Sequence, residues 1–194
     1  IDIHTHSDVS AVRDPSCESK IRQGVTTDVI GNCGFSTFPI EPSRVDTHLD
    51  LMDGRGFGED GIDLTWTDVA GYAEVVASRP PAFNVAPLVG HNTLRAAAMG
   101  LEQRPPTDAE LGTMKQLLAT QLEQGAFGFS TGLTLVPGVY ADEAEIIELI
   151  KVVAEHDAMY ATHTRGDAGR DFGGVELAIR TATAAGARLQ FSHA

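Results

Sequence analysis

Ile1-Asp2-Ile3-His4-Thr5-His6-Ser7-Asp8 runs an apolar, strand-like stretch straight into a His-x-His pair. In a strand the side chains at i and i+2 point to one face, so His4 and His6 are expected to project together. Two imidazoles converging at a strand end are half of a metal site, because neutral imidazole suits zinc and related metals. Taken alone, the pair reads equally well as two ordinary histidines. If it is a metal site, further ligands should appear at later strand ends.

Working outward, strand-like runs recur near 1–5, 26–31, 83–89, 126–130, 159–162 and 188–192. Helical patterns fall near 15–23, 66–78, 107–124, 142–156 and 175–185. Thr107 ahead of Asp108 and Glu110 reads as a cap with an acidic first turn, and Gly125 closes that helix. Asp142 followed by Glu145 reads as a capping box, and Gly186 as a helix stop. Six strands interleaved with five helices make a βαβ series, hence an α/β fold with a parallel sheet. No Gly-x-Gly-x-x-Gly follows the first strand, which weakens a doubly wound dinucleotide-binding fold. A (β/α)8 TIM-type barrel normally takes ~250 residues, so this chain reads as a fragment of about six βα units. Ile1 already sits in a strand pattern and Ala194 follows one. Residues 1–194 are therefore expected to be a partial catalytic barrel, cut at both ends. A long insert at 34–65, rich in Gly, Pro, Asp and Arg, is expected over the active-site mouth.

The test set by His4 and His6 is met at later strand ends. The second strand delivers Cys33, the fifth His163 and the sixth His193. In a barrel these positions share one rim, where active sites lie. Three His or Cys ligands with an open position are the pattern of a catalytic zinc. Cys33 alone would read as a small packing residue, and its place on the rim turns it into a ligand candidate. All three lysines, Lys20, Lys115 and Lys151, fall in helical patterns. If two metals are present, Cys33 is therefore the candidate bridge. Cys17, His48 and His156 read as structural or solvent-exposed. His91 follows the third strand and is open between fixing a loop and touching substrate.

The 194 residues carry a formal net charge of −13 and 42% hydrophobic content. The charge argues against a nucleic-acid partner, which needs clustered Lys and Arg. No apolar run reaches the ~18 residues of a membrane span. Two cysteines imply no disulfide framework and suit a reducing, cytoplasmic setting.

Six collinear segments resemble the N-acyl-D-amino-acid deacylases (D-aminoacylases) of the amidohydrolase superfamily. They are residues 1–8, Gly24 to Gly34 with its Gly31-Asn32-Cys33-Gly34 core, Leu88 to Arg95, Gly125 to Leu133, Tyr160 to Arg165 and Gln190 to His193. The resemblance implies a metal-dependent barrel in which Cys33, His163 and His193 hold a tight zinc. His4 and His6 would then form a second, weaker metal position. It also implies a general-base Asp, expected beyond Ala194. Arg165, His91 and Ser130 are expected to face substrate, and Arg95 is read more readily as a rim salt bridge. Many family members carry Tyr where Leu135 stands. The acidic residues after His163 are also shifted relative to the family's His-x-Arg-Asp-Glu run, which puts substrate preference in question.

The function implied is zinc-dependent hydrolysis of the amide bond of a small N-acyl-D-amino acid, releasing a carboxylate and a D-amino acid. Two rivals stand beside it: a dihydroorotase-like enzyme opening a cyclic amide or imide, and a catalytically incomplete zinc-binding fragment. Six strands cannot close a barrel, so the 194-residue piece alone is expected to be inactive.

Overall fold

The computed structural model describes residues 1–54, 56, 64–164 and 172–193. Among them, five strands form one wholly parallel sheet in sequence order: β1 (Thr27–Ile30), β2 (Asn84–Gly90), β3 (Gly128–Gly132), β4 (Met159–His163) and β5 (Arg188–Ser192). The expected six strands are therefore five. Ile1 to Thr5 lies beside β1 but joins it only through an isolated parallel bridge between Asp2 and Asp28. Asp2 N donates to Thr27 O and Val29 N to Asp2 O, and then Thr5 N reaches Val29 O. The stretch kinks as the histidines begin, so it never completes a ladder.

The helices are α1 (Ser10–Arg13), α2 (Glu18–Ile21), α3 (Val45–Asp53), α4 (Val69–Ser78), α5 (His91–Met99), α6 (Asp108–Glu123), α7 (Glu143–Glu155) and α8 (Gly173–Ala185). The helix expected over 15–23 shrinks to the four-residue α2, which starts only after Cys17, whose φ of 38° is left-handed. Thr107 caps α6 in a complete capping box with Glu110. At α7 only half of the expected box forms. Asp142 accepts from Glu145 N at 2.8 Å, while the Glu145 carboxylate turns away into the protein. Three helices lie outside the expected ranges: the single-turn α1, α3 inside the long insert, and α5, which starts at His91 directly off the end of β2.

The pleat sorts the side chains. Ile30, Val89, Phe129 and Tyr160 face the helices and pack with Leu94, Leu118, Leu149 and Val153 in the main core. Val29, Leu88, Met159 and Ala161 point to the other, concave face and line an apolar hollow of about 320 Å³ with Ile1 and Ile3. The architecture is a parallel half-barrel. All five strands end on one rim, and β4 pairs His163 with Gly132 of β3 and Ser192 of β5 there.

Candidate metal centre

His163 lies two residues after Ala161 in β4, so the period of two aims it to the concave side. His193 follows Ser192 and would alternate to the opposite face. Its left-handed backbone (φ 57°) ends the strand and brings the ring back, 4.8 Å from the His163 ring and 4.4 Å from that of His4. Cys33 sits in the turn after β1, also left-handed at φ 54°, between Gly31 at 75° and Gly34 at 81°. For a non-glycine residue that conformation costs roughly 1–2 kcal/mol, so the surroundings must impose it. Gly132 makes room for the turn: a Cβ there would lie 2.1 Å from the Cys33 carbonyl oxygen.

Cys33 Sγ lies 3.2 Å from His4 Nε2, 3.5 Å from His163 Nδ1 and 3.6 Å from His193 Nε2. The donor atoms of His4, Cys33 and His193 all fall within 4.8 Å of one another. His6 stands edge-on to His4 at 5.5 Å between ring centroids. The thiol therefore touches both groups of histidines that the resemblance separates. A tetrahedral zinc with Zn–S near 2.3 Å and Zn–N near 2.0–2.1 Å holds its sulfur and nitrogen donors about 3.5 Å apart, which matches this spacing. The chemistry of the donor set fits as well. Burial, with His193, His6 and His163 nearby, lowers His4 to about 4, and burial raises the Cys33 thiol to about 11. Burial likewise lowers His6 and His163. His4 Nδ1 lies 3.0 Å from Ser192 Oγ, which orients its Nε2 toward the thiol.

The substrate-facing expectations fare differently. Ser130 is fully buried, and its hydroxyl is committed to the Cys33 turn: it accepts from Gly34 N at 3.0 Å and donates to Gly31 O. His91 is fully buried too, its Nε2 2.7 Å from Glu145 Oε1, where it braces α5 against α7, the loop-fixing one of its two readings. In both places the chain folds over the strand end, which a strand-end position does not reveal. Arg95 is no rim residue. It is completely buried, paired with Glu145 at 2.6 Å, and donates to Arg104 O at 2.6 Å. Arg165 lies outside the described residues. The insert at 34–65 is not an open loop over its first part: Phe35, Leu51 and Met52 pack with Cys33 and Ala96, and Leu135 joins them. His48 is buried in α3, His156 Nδ1 lies 2.8 Å from Val152 O, and Cys17 Sγ donates to Asp14 O at 2.9 Å. Sequence reasoning gave no role to Ser192 and Asn92, although both lie inside the segments that carry the resemblance.

No family model matches the chain. The N-acyl-D-aspartate deacylase of Alcaligenes xylosoxydans xylosoxydans is 39% identical over 194 residues, covering 100% of this chain and 38% of that protein. The D-aminoacylase of the same organism is 38% identical over 180 residues, covering 93% of this chain and 36% of its own length. The solved N-acyl-D-glutamate deacylase from Bordetella bronchiseptica is complexed with zinc and a phosphonate inhibitor, a mimic of the tetrahedral intermediate. It superposes with a TM-score of 0.85 at 38% identity, over 97% of this chain and 38% of that one. The chain thus spans 36–38% of the curated relatives' length. With fold and sequence in agreement over nearly its whole extent, the chain belongs to the D-aminoacylase (N-acyl-D-amino-acid deacylase) family of the amidohydrolases.

Proposed function

We propose that this chain forms the metal-holding part of a zinc-dependent hydrolase that cleaves the amide bond of N-acyl-D-amino acids. The observation that carries the reading is the Cys33 thiol within 3.2–3.6 Å of ring nitrogens from three histidines, in a chain of this family. On this reading Cys33, His163 and His193 hold the tighter zinc. His4 and His6 would serve a second, weaker position, and Cys33, nearest to His4, would be the residue available to both. Zinc, when bound, supplies an electrophilic centre that activates water and polarises an acyl carbonyl.

The chain's own residues do the holding. Burial keeps the His4 ring neutral down to about pH 4, so its nitrogen is available to a metal at neutral pH. Leu135, packed beside Cys33 with Phe35 and Leu51, supplies an apolar wall where other family members place a phenol. The concave apolar face of the half-barrel supports a closed (β/α)8 barrel of which residues 1–194 form part. Arg165, by its bidentate chemistry, is assigned to the substrate carboxylate. Two free thiols, one of them a ligand, favour a reducing, cytoplasmic compartment.

The test uses the complete natural polypeptide carrying these residues. With zinc supplied, N-acetyl-D-glutamate, N-acetyl-D-aspartate and an apolar N-acetyl-D-amino acid should each be assayed for amine release. Turnover is expected on at least one of them, and Cys33→Ala should lose both turnover and bound zinc. Ring opening of a dihydroorotate-type substrate with no cleavage of N-acyl-D-amino acids would overturn the reading, as would unchanged zinc content in Cys33→Ala.

A further inference from the structure

We propose that Ser130, with Asn92 as a second grip, is a positioning residue for Cys33 and so sets the affinity of the centre for a divalent metal ion. The inference rests on the reading of Cys33 and its neighbouring histidines as metal ligands. Its starting point is the backbone of Cys33, left-handed at φ 54° in a residue that is not glycine. Such a conformation persists only where the surroundings over-determine it, and it clusters at functional sites.

One hydroxyl does most of the determining. Ser130 Oγ donates to the carbonyl of Gly31, two residues before the cysteine, and accepts from the amide of Gly34, one residue after it, at 3.0 Å. It therefore closes the turn across the thiol-bearing residue. The anchor is stiff: Ser130 is the central residue of β3 and pairs with Gly90 of β2 on one side and Ala161 of β4 on the other. Asn92, also fully buried, holds the next atom along. Its Nδ2 donates to Cys33 O at 3.4 Å, while its Oδ1 accepts from Gly138 N at 2.6 Å. The amides of Asn92 and Thr93, at the start of α5, both donate to Gly34 O, at 2.7 and 3.3 Å.

The consequence is directional. With both flanks of Cys33 tied to β3 and α5, the Cα–Cβ bond is aimed at His4, His163 and His193. Without the Ser130 hydroxyl, Gly31 O and Gly34 N lose their shared partner. Cys33 is then free to relax to a negative φ, which swings the sulfur away from the rings. The histidines, carried on other segments, stay where they are.

The probe is cobalt(II), titrated into the metal-free complete polypeptide, with the near-ultraviolet thiolate-to-cobalt charge-transfer band reporting Cys33 and zinc competition giving affinity. The wild type should show the band. Ser130→Ala should fold, still bind cobalt through the histidines, lose most of the band and bind zinc roughly 10–100-fold more weakly. Ser130→Thr keeps the hydroxyl and should restore both. Asn92→Asp keeps the acceptor for Gly138 but removes the donor to Cys33 O, and should weaken the band in the same direction; it serves as well if Ser130→Ala does not fold. A purely structural role would lower thermal stability while leaving band and affinity intact. Retention of both in Ser130→Ala, or in Asn92→Asp should the first variant fail to fold, overturns the inference. A wild type that binds cobalt without the band instead removes Cys33 from the ligand set, and this inference with it.

Discussion

Two polar clusters lie against the first turns of α5, and they solve the same problem in opposite ways. In the first, Glu145 on α7 meets Arg95 at 2.6 and 2.8 Å and His91 at 2.7 Å, all three essentially without exposure. Burial pushes the carboxyl up, but the contacts from His91 and Arg95 win and hold it below its ordinary range. The cluster carries its own counter-charge and is closed. In the second, Cys33 and the histidines hold no counter-charge for one another: burial raises the thiol to about 11 and lowers His4 to about 4. Every shift there favours the neutral form. A set of lone pairs kept neutral and close together stabilises nothing by itself; it awaits a cation. That contrast separates the structural cluster from the candidate site.

The largest effect should come from opening the closed cluster. Glu145→Gln leaves the Arg95 guanidinium buried without a counter-charge, and breaking a buried pair from one side costs about 3–5 kcal/mol. Chemical denaturation of the metal-free protein should show that loss, while zinc affinity of the folded protein changes little. Arg95→Met added to Glu145→Gln should recover much of the stability, since the two residues couple directly. A loss below about 1 kcal/mol would mean the cluster is not closed as described.

The same contrast explains what could be read from the sequence. The ligand candidates were visible because each stands at the end of a recognisable apolar run, and a period of two is a local property. The α6 cap at Thr107 and the stop at Gly186 were visible for the same reason. Glu145 was read as half of a local capping box, because its real partner Arg95 lies 50 residues away. The helix α5 left no signal: it follows β2 without a polar cap, and nearly all of its residues are buried, so no polar face marks a period. The burial of Ser130 and His91 is invisible in the sequence, because position along a strand says nothing about what lies over its end. The opening stretch was read as a full strand, yet only Asp2 completes a bridge.

The open cluster should announce itself through pH. Metal binding requires the thiolate and neutral imidazoles, so each zinc that uses Cys33 displaces about one proton at neutral pH. Zinc affinity should then rise about tenfold per pH unit, or about a hundredfold between pH 6 and pH 8, equivalent to ~2.7 kcal/mol. Competition titrations at fixed ionic strength check the slope; a flat profile would mean that Cys33 is not a ligand. Stability of the metal-free protein gives the complementary sign. His4 refuses protons down to about 4, whereas an unfolded imidazole accepts them below ~6.5. The unfolded state therefore binds more protons in that window, and stability should fall as pH drops through it. Glu145 adds to the fall at lower pH, because its depressed carboxyl must be protonated to unfold.

The smallest expected effect concerns the orientation of a single ring. Ser192 Oγ lies 3.0 Å from His4 Nδ1, and His4 Nε2 lies 3.2 Å from Cys33 Sγ, so one hydroxyl fixes which nitrogen faces the centre. Removing such a partner typically weakens a metal site 10–100-fold, and here the low end applies because the rings of His6 and His193 also flank His4. Ser192→Ala should therefore lower affinity for the metal held by His4 about tenfold, or ~1.4 kcal/mol, while leaving metal-free stability within about 1 kcal/mol of wild type. The two centres respond differently if His163 and His193 hold a separate, tighter ion. In that case a titration resolves two steps, and Ser192→Ala moves only the weaker one. Should it weaken the tighter step instead, His4 belongs with Cys33 in the primary ligand set, and the division implied by family resemblance has to be redrawn around the thiol.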